Sequence, residues 1–404
     1  MPRIHPRPSR TTTPRAALLV AFVALSTDML IYGIAVPVLP KFPAVATGGD
    51  TATGILFAVY AAALVGVTPL AGRWVDRRGP RTPLLVGMIG LATATVVFAL
   101  VEPFPALLFA RAAQGAAAAC SWVAGLALVA AVTPFQQRAR NLGLVLSAVG
   151  IGVLIGPPLG GWLADLFGRH VPFLVGAAFA VLDGLLRIAL VGPVTTADDD
   201  PGTIKGVWRV PGAASVCAVV AIGAGLLAIT EPVLPRHLHD LGYTATQAGL
   251  VYGSAVLASA MVTPVVGSLT HRLPTAALVA IGSSVGAAGM AGVGLAHSLV
   301  ALTAAMAMLG IGAGAVLGAI TPAMSTLGSQ AGPPALGAAF ALFNLAYACG
   351  LLLGPALSGP STSLAGFGPA TVGLAAICAL AALGSCWRMR SASALHGVGG
   401  KAEE

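Results

Sequence analysis

The chain has 404 residues, of which 57% are hydrophobic and only 8% charged; its net charge is +8 and its mean hydropathy +0.92. No soluble domain of this size could cover so much apolar surface with so few charges, so a water-soluble enzyme or binding module is excluded. Nucleic acid is excluded as a partner too, because the positive charges are scattered between apolar runs rather than gathered on one face.

Twelve apolar segments follow one another, each long enough for the ~20 residues that cross a bilayer core. They lack alternating polarity, so the expected fold class is an all-α membrane protein. Segments 1 to 6 are read at 16–39, 52–71, 80–101, 104–133, 142–165 and 172–192, and segments 7 to 12 at 212–235, 246–269, 275–296, 298–321, 336–358 and 369–388. This divides the chain into a basic tail (1–15), a six-helix bundle (16–192), a linker (193–211), a second bundle (212–390) and a tail (391–404). The basic N-terminus and Ala44-Val45-Ala46 suggest a signal peptide, but the run from Ala16 to Leu39 is too long and holds Asp28 and Pro37, so it is read as an uncleaved first span.

In span 1, Asp28 is about twelve residues deep and Tyr32 lies one turn on. An ionised carboxylate at that depth is costly unless a proton, a cation or hydrogen-bond donors complete it. Nearby hydroxyls such as Ser26 could satisfy it, which is the bland alternative. Between spans 2 and 3, Gly72-Arg-Trp-Val-Asp-Arg-Arg-Gly-Pro-Arg81 packs four arginines and Asp76 into ten residues, and must sit in water as a tight loop. Asp76 is placed just before span 3, where helix N-terminal amides favour an anion. Of the 21 Lys and Arg residues, 16 fall on the side of this loop and of the termini, against only Lys41, Arg169 and Arg236 on the other. The positive-inside rule then makes that side cytoplasmic.

In span 4, Arg111 lies about seven residues in and needs a carboxylate, a carbonyl or water, with Gln114 one turn on. In span 5, Gly152, Gly156 and Gly160 form a smooth face with Gly161 beside it, and Pro157-Pro158 should kink or loosen the helix. In span 6, Asp183 and Arg187 are spaced as a self-satisfied pair. Glu231-Pro232 lies near the outer part of span 7, where Thr230 could satisfy the acid locally. Asn344 and Tyr347 are the polar features of span 11, and Trp122, Tyr252 and Phe343 are further candidate cavity liners.

The halves repeat. Pro37-Val-Leu-Pro40 recurs as Pro232-Val-Leu-Pro235, Pro69 and Gly72 as Pro264 and Gly267, and Gly115 as Gly310, all shifted by 195. Gly152…Gly156-Pro157…Gly161 recurs as Gly350…Gly354-Pro355…Gly359, shifted by 198. Parallel repeats place a substrate site between the halves near the midplane. The five cysteines all lie in apolar runs, without a CxxC, so neither a disulfide framework nor a metal site is indicated, and no cofactor is expected. The histidines in the outer loops (His170, His237, His239, His297) have no ligand spacing.

Three motifs resemble the major facilitator superfamily, and within it the twelve-span drug/proton antiporters. They are Gly72…Asp76-Arg77…Gly79…Arg81, Arg111-Ala-Ala-Gln114-Gly115, and Gly152…Gly156-Pro157…Gly160-Gly161. Asp28-Met-Leu-Ile-Tyr32-Gly33, Leu182-Asp-Gly-Leu-Leu-Arg187 and Glu231-Pro232 look like the vesicular-amine-transporter-like branch. Spans 10 and 11 carry no acid and span 2 no lysine, where that branch has them. The resemblance implies the major facilitator fold, with two six-helix bundles and both termini cytoplasmic. It implies a monomer in the cytoplasmic membrane, surrounded by lipid, that exports lipophilic drugs or organic cations against protons by alternating access. It gives Asp28, Arg111, Glu231, Tyr32 and Gln114 to the proton and substrate site, to which Asn344 and Tyr347 are added as the polar features of span 11. It gives Asp76 a latching role, against Arg138, Arg140 or the start of span 11 near Leu336, and the span-5 glycines a rocking interface. The rivals are a symporter or uniporter importing a nutrient, and a membrane-embedded enzyme. The first is opposed by the span-5 motif, the second by carboxylates that lie on separate spans.

Overall fold

A computed structural model describes residues 12–192, 203–331 and 335–399, with the side chains of Phe135, Gln136, Arg138, Ala139, Leu336 and 387–399 outside the description. The chain winds into α1 (Pro14–Val38), α2 (Pro43–Arg78), α3 (Arg81–Leu100), α4 (Phe104–Val132), α5 (Phe135–Phe167), α6 (Val171–Leu190) and the short α7 (Ile204–Trp208). It continues with α8 (Ala213–Ala228), α9 (Leu234–Asp240), α10 (Ala245–Leu269), α11 (Thr275–Leu295), α12 (Leu299–Gln330), α13 (Leu336–Ala365) and α14 (Phe367–Gly399). Among the described residues, 11 helices are long and apolar enough to cross a membrane. Their outward faces carry side chains such as Phe109, Val300 and Leu364, which are 74%, 80% and 89% exposed and therefore need lipid rather than water around them.

Local chemistry sets the helix ends. The Thr13, Thr244 and Ser298 hydroxyls accept from the Ala16, Gln247 and Ala301 amides and start α1, α10 and α12. Gly79, Gly168 and Gly366 end α2, α5 and α13 with φ of 72°, 86° and 83°, a backbone region that side chains with a Cβ avoid.

Two expectations are corrected. The expected seventh span is not one helix: α8 stops at Ala228, a few turn residues follow, and α9 resumes at Leu234. Pro232 has no amide to donate and crowds the preceding turn. The Thr230 and Glu231 amides turn back to the Leu227 and Ala228 carbonyls, three residues away, and the helix tightens and breaks at Glu231. Second, the Gly72–Arg81 stretch is largely helical, because α2 runs on through Arg78 and only Gly79-Pro80 separates it from α3. Charge density decides that these residues meet water; it does not end the helix. In span 5 the helix continues unbroken through Pro157 and Pro158.

The sequence repeat reappears as repeated contacts. A Cβ on Gly115 would collide with the Tyr60 carbonyl, and one on Gly310 with the Ala255 carbonyl, both residues shifted by 195. Gly87 lies against Ala117 and Ser121, and Gly282 against Gly312 and Val316, again shifted by 195. Gly152 abuts the Ser26 carbonyl and Gly350 the Ala221 carbonyl. Small residues let membrane helices approach backbone to backbone, so glycine placement dictates which helices pair. Within each half, α1 packs on α5 and α2 on α4, as α8 packs on α13 and α10 on α12.

Between the halves run two seams, also related by the repeat. Gly161 meets Ala245 and Gly249 meets the Pro157 carbonyl, joining α5 to α10. Gly359 meets Asp50 and Gly54 the Pro355 carbonyl, joining α13 to α2. The expected rocking interface is therefore redistributed. Gly152, Gly156 and Gly160 pack on Ser26, Leu30 and Ile34 of α1 within their own half, as the Pro157 ring does on Gly33, whereas Gly161, the Pro157 carbonyl and the Pro158 ring meet the other half.

Candidate functional site

Asp28 lies on α1 and is 1% exposed. The Tyr60 hydroxyl of α2 donates to its Oδ1 and Oδ2 at 3.1 Å each, and Trp122 Nε1 of α4 donates to Oδ2 at 2.7 Å. The Ser26 and Thr230 hydroxyls, expected as local partners for the acids, bond instead to the Ala148 and Leu227 carbonyls. Glu231 sits at the break between α8 and α9 and is 2% exposed. Its Oε1 accepts from the Tyr252 hydroxyl at 2.8 Å and its Oε2 from the Tyr32 hydroxyl in a very short bond. Tyr32 belongs to the first half and Glu231 to the second, so this bond crosses between them in the interior. Among the described residues, each acid is thus held by two neutral aromatic donors and makes no salt bridge. Breaking the helix at Glu231 frees the backbone to turn the carboxylate inward, as discontinuous membrane helices do at binding sites.

Arg111 joins the two acids. It is fully buried, and Nη1 donates to Gln114 Oε1 at 3.0 Å, while Gln114 Nε2 donates to the Thr95 hydroxyl at 3.0 Å. Its guanidinium carbon lies 5.8, 5.2, 5.1 and 5.8 Å from the ring centres of Tyr32, Phe57, Tyr60 and Phe98. Ring faces attract a cation electrostatically, most strongly once water is excluded. Its Nε and Nη2 have no hydrogen-bond partner. Tyr32 and Tyr60, each bonded to a different acid, pack with ring centres 5.1 Å apart and planes tilted by 52°. Arg111, both acids and the rings between them form one polar cluster with donor capacity to spare.

Of the remaining candidates, Tyr347 lies half-buried on α13 within electrostatic reach of Glu231, and Asn344 is half-buried one turn earlier. Tyr60, Phe57 and Phe98 were not among the candidate residues. A glycine clue to Tyr60 existed, because Gly115 beside Gln114 is what admits its backbone. Among the described residues, no group of three metal-ligating side chains comes together.

The other motifs lie elsewhere. Asp76 is exposed in the last turn of α2, not at the start of span 3; there the helix dipole disfavours an anion and favours Arg77 and Arg78. Arg138 and Leu336, two of its expected partners, have side chains outside the described residues, and among the described residues Asp76 makes no salt bridge. Gly79 supplies the left-handed turn, and Arg81 begins α3. Gly72, expected to allow close backbone approach, has nothing within 4 Å of where a Cβ would stand. Asp183 and Arg187 form the expected buried pair, and Arg187 Nη1 also donates to the Leu84 carbonyl at 2.7 Å and the Ser121 hydroxyl at 3.1 Å. Replacing Arg187 with methionine should strand the Asp183 charge and destabilise the protein by about 3–5 kcal/mol, read as a lower midpoint of thermal unfolding. The double variant with Asp183→Leu should recover most of that loss.

The sequence profile of the Major Facilitator Superfamily matches residues 18–333 and 216–403, which together take in all twelve expected spans. The chain belongs to the major facilitator superfamily. Among curated members of that superfamily, a probable vesicular acetylcholine transporter-B of Danio rerio is 32% identical over 274 residues, 64% of this chain and 56% of the relative. The vesicular acetylcholine transporter of Drosophila melanogaster is 30% identical over 261 residues, 56% of this chain and 45% of the relative. The chromaffin granule amine transporter of Homo sapiens is 28% identical over 325 residues, 78% of this chain and 61% of the relative. The chain spans about half the length of the curated relatives it matches. These relatives agree with the resemblance to the vesicular-amine-transporter-like branch of the superfamily. All three are named as transporters and none as an enzyme.

Proposed function

We propose that this member of the superfamily is a proton-coupled secondary transporter that exchanges organic cations, including lipophilic drugs, for protons by alternating access. The reading is carried by one observation: two buried carboxylates, one in each half, are held only by neutral donors around a buried arginine. A carboxylate without a contacting cation is completed equally by a proton or by an ammonium group, and not by both at once. That competition is exchange. A proton arriving from the outer side displaces the cation, and its release on the cytoplasmic side frees the carboxylate for the next one. Glu231 lies across the interface between the halves, so a change in its occupancy alters the bond that joins them through Tyr32. The named relatives make acetylcholine-like and amine compounds the first substrates to try.

Drug export across the cytoplasmic membrane is the finer reading, with the Gly72–Arg81 side and both termini cytoplasmic and the protein a monomer. The vesicular relatives favour a second location, a vesicle membrane. In both places the cation leaves the cytoplasm and protons move the other way.

The test uses purified protein in vesicles with an internal pH-sensitive dye. Adding acetylcholine, an aromatic amine or a lipophilic cationic dye should drive proton movement through the wild type, and Glu231→Gln should reduce it at least about tenfold. Absence of proton movement with every cation tried refutes the proposal.

A further inference from the structure

Among the described residues, apart from Tyr32–Glu231, every hydrogen bond between the halves lies at one end of the molecule, the end remote from Gly72–Arg81. Asp165, near the end of α5, is the centre of this set. Its Oδ1 accepts from Lys41 Nζ at 2.7 Å and from the Ala245 amide at 3.3 Å. Its Oδ2 accepts from the Thr246 amide and the Thr246 hydroxyl, both at 2.7 Å. Ala245 and Thr246 open α10, so a carboxylate of the first half caps the amide end of a helix in the second, where orphan amides and the helix dipole both favour an anion.

The repeat supplies the comparison. Shifting Asp165 by 198 gives Ser363, and shifting Thr246 back by 195 gives Thr51. The hydroxyls of Ser363 and Thr51 do meet, 2.8 Å apart, at the matching place on the other seam. Gly49 kinks α2 there, so Thr51 stands at the start of a helical run as Thr246 does. Lys41 corresponds to Arg236, which reaches across to the Ala46 carbonyl at 3.1 Å. The same geometry therefore exists on both seams, but a carboxylate bonds across only one: Asp50, next to Thr51 on the other seam, lies within electrostatic reach of Arg236 and, among the described residues, makes no hydrogen bond across it. A hydrogen bond with a charged partner is about twice as strong as a neutral one.

The geometry points to Asp165 as an ionic clasp that, with Lys41 and Thr246, holds this end of the molecule shut and sets the balance between its two access states. The clasp rests on the alternating-access reading proposed above, and it makes opening at this end a matter of breaking the bonds gathered on Asp165. The counterpart seam has no carboxylate bonded across it among the described residues and is crossed by the Thr51–Ser363 hydroxyl pair and the Arg236–Ala46 bond.

The full chain, with its five native cysteines replaced, is spin-labelled through Thr47→Cys and Leu364→Cys, both exposed at this end on opposite halves, and placed in lipid nanodiscs. Pulsed dipolar distances are measured without substrate. The parent should give one short population. Asp165→Ser should raise the ratio of a longer population about tenfold. Thr246→Val, which removes the hydroxyl that donates to Asp165 and leaves the carboxylate in place, should raise the same ratio about threefold. A ratio unchanged by Asp165→Ser overturns the clasp. Should that variant not fold, Thr246→Val decides alone: a ratio unchanged or moved towards the short population overturns it. The reading is conformational, so a protein that exchanges no cation for protons can still confirm or break it, and the two failures stay distinct.

Discussion

Asp28→Asn is expected to stop cation–proton exchange while leaving the protein folded in the membrane. Asparagine matches aspartate in shape, and its carbonyl, placed at the Oδ2 position, can still accept from both Trp122 and Tyr60, so neither buried donor is left short. The effect is chemical: the amide neither takes up a proton nor neutralises an ammonium group. Exchange should fall by at least about a hundredfold, a larger loss than from Glu231→Gln. The pH dependence gives a sharper check. In the wild type, protons and the cation compete for one carboxylate, so the apparent affinity for the cation should weaken as pH falls. In Asp28→Asn whatever binding remains should be flat with pH across the same range. A steep profile retained in the variant would move the competition to Glu231.

Gly115→Val and Gly310→Val form the second prediction. Each glycine stands where a Cβ would run into a backbone carbonyl, of Tyr60 in one half and Ala255 in the other. Backbone cannot rotate away as a side-chain tip can, so the paired helices must separate. Overpacking of this kind costs about 3 kcal/mol. In the first half the damage reaches the site, because α2 carries Tyr60 and Phe57, and α4 carries Arg111 and Trp122. Gly115→Val should therefore lower thermal stability and exchange together, whereas Gly310→Val should lower stability first. Gly143→Val and Gly337→Val are the controls, since nothing lies within 4 Å of a Cβ at either position and both should unfold like the wild type.

The spans were legible because hydropathy responds to the bilayer thickness, and the helix lengths follow from it. Segment 3, read at 80–101, is α3 at Arg81–Leu100, and segment 8, read at 246–269, is α10 at Ala245–Leu269. Span 7 was not legible as two pieces, because composition stays apolar across the break; the signal was Glu231 beside Pro232, an acid next to a residue without an amide. The duplication was legible through its prolines and glycines, since those residues act on backbone and are kept where backbones touch. The site was half legible. Asp28 and Arg111 stand out as charges in apolar runs. Their partners Tyr60, Phe57 and Phe98 do not, because an aromatic ring in a membrane helix reads as packing until the fold supplies the carboxylate beside it. The Tyr32–Glu231 bond joins residues 199 apart in the chain, a distance no local pattern spans.

The two seams have a thermodynamic consequence. Where Gly161, Gly249, Gly54 and Gly359 meet the opposite half, the atoms nearest to them are backbone, so backbone rests on backbone there. Such surfaces can roll over one another without pulling a packed core apart, so little apolar area is covered or uncovered as the halves tilt. Heat capacity follows exposed apolar area. The interconversion of the two access states should therefore carry almost no heat-capacity change, and the position of their equilibrium should follow a straight van't Hoff line from cold to warm conditions, even where unfolding of the same protein curves strongly with temperature.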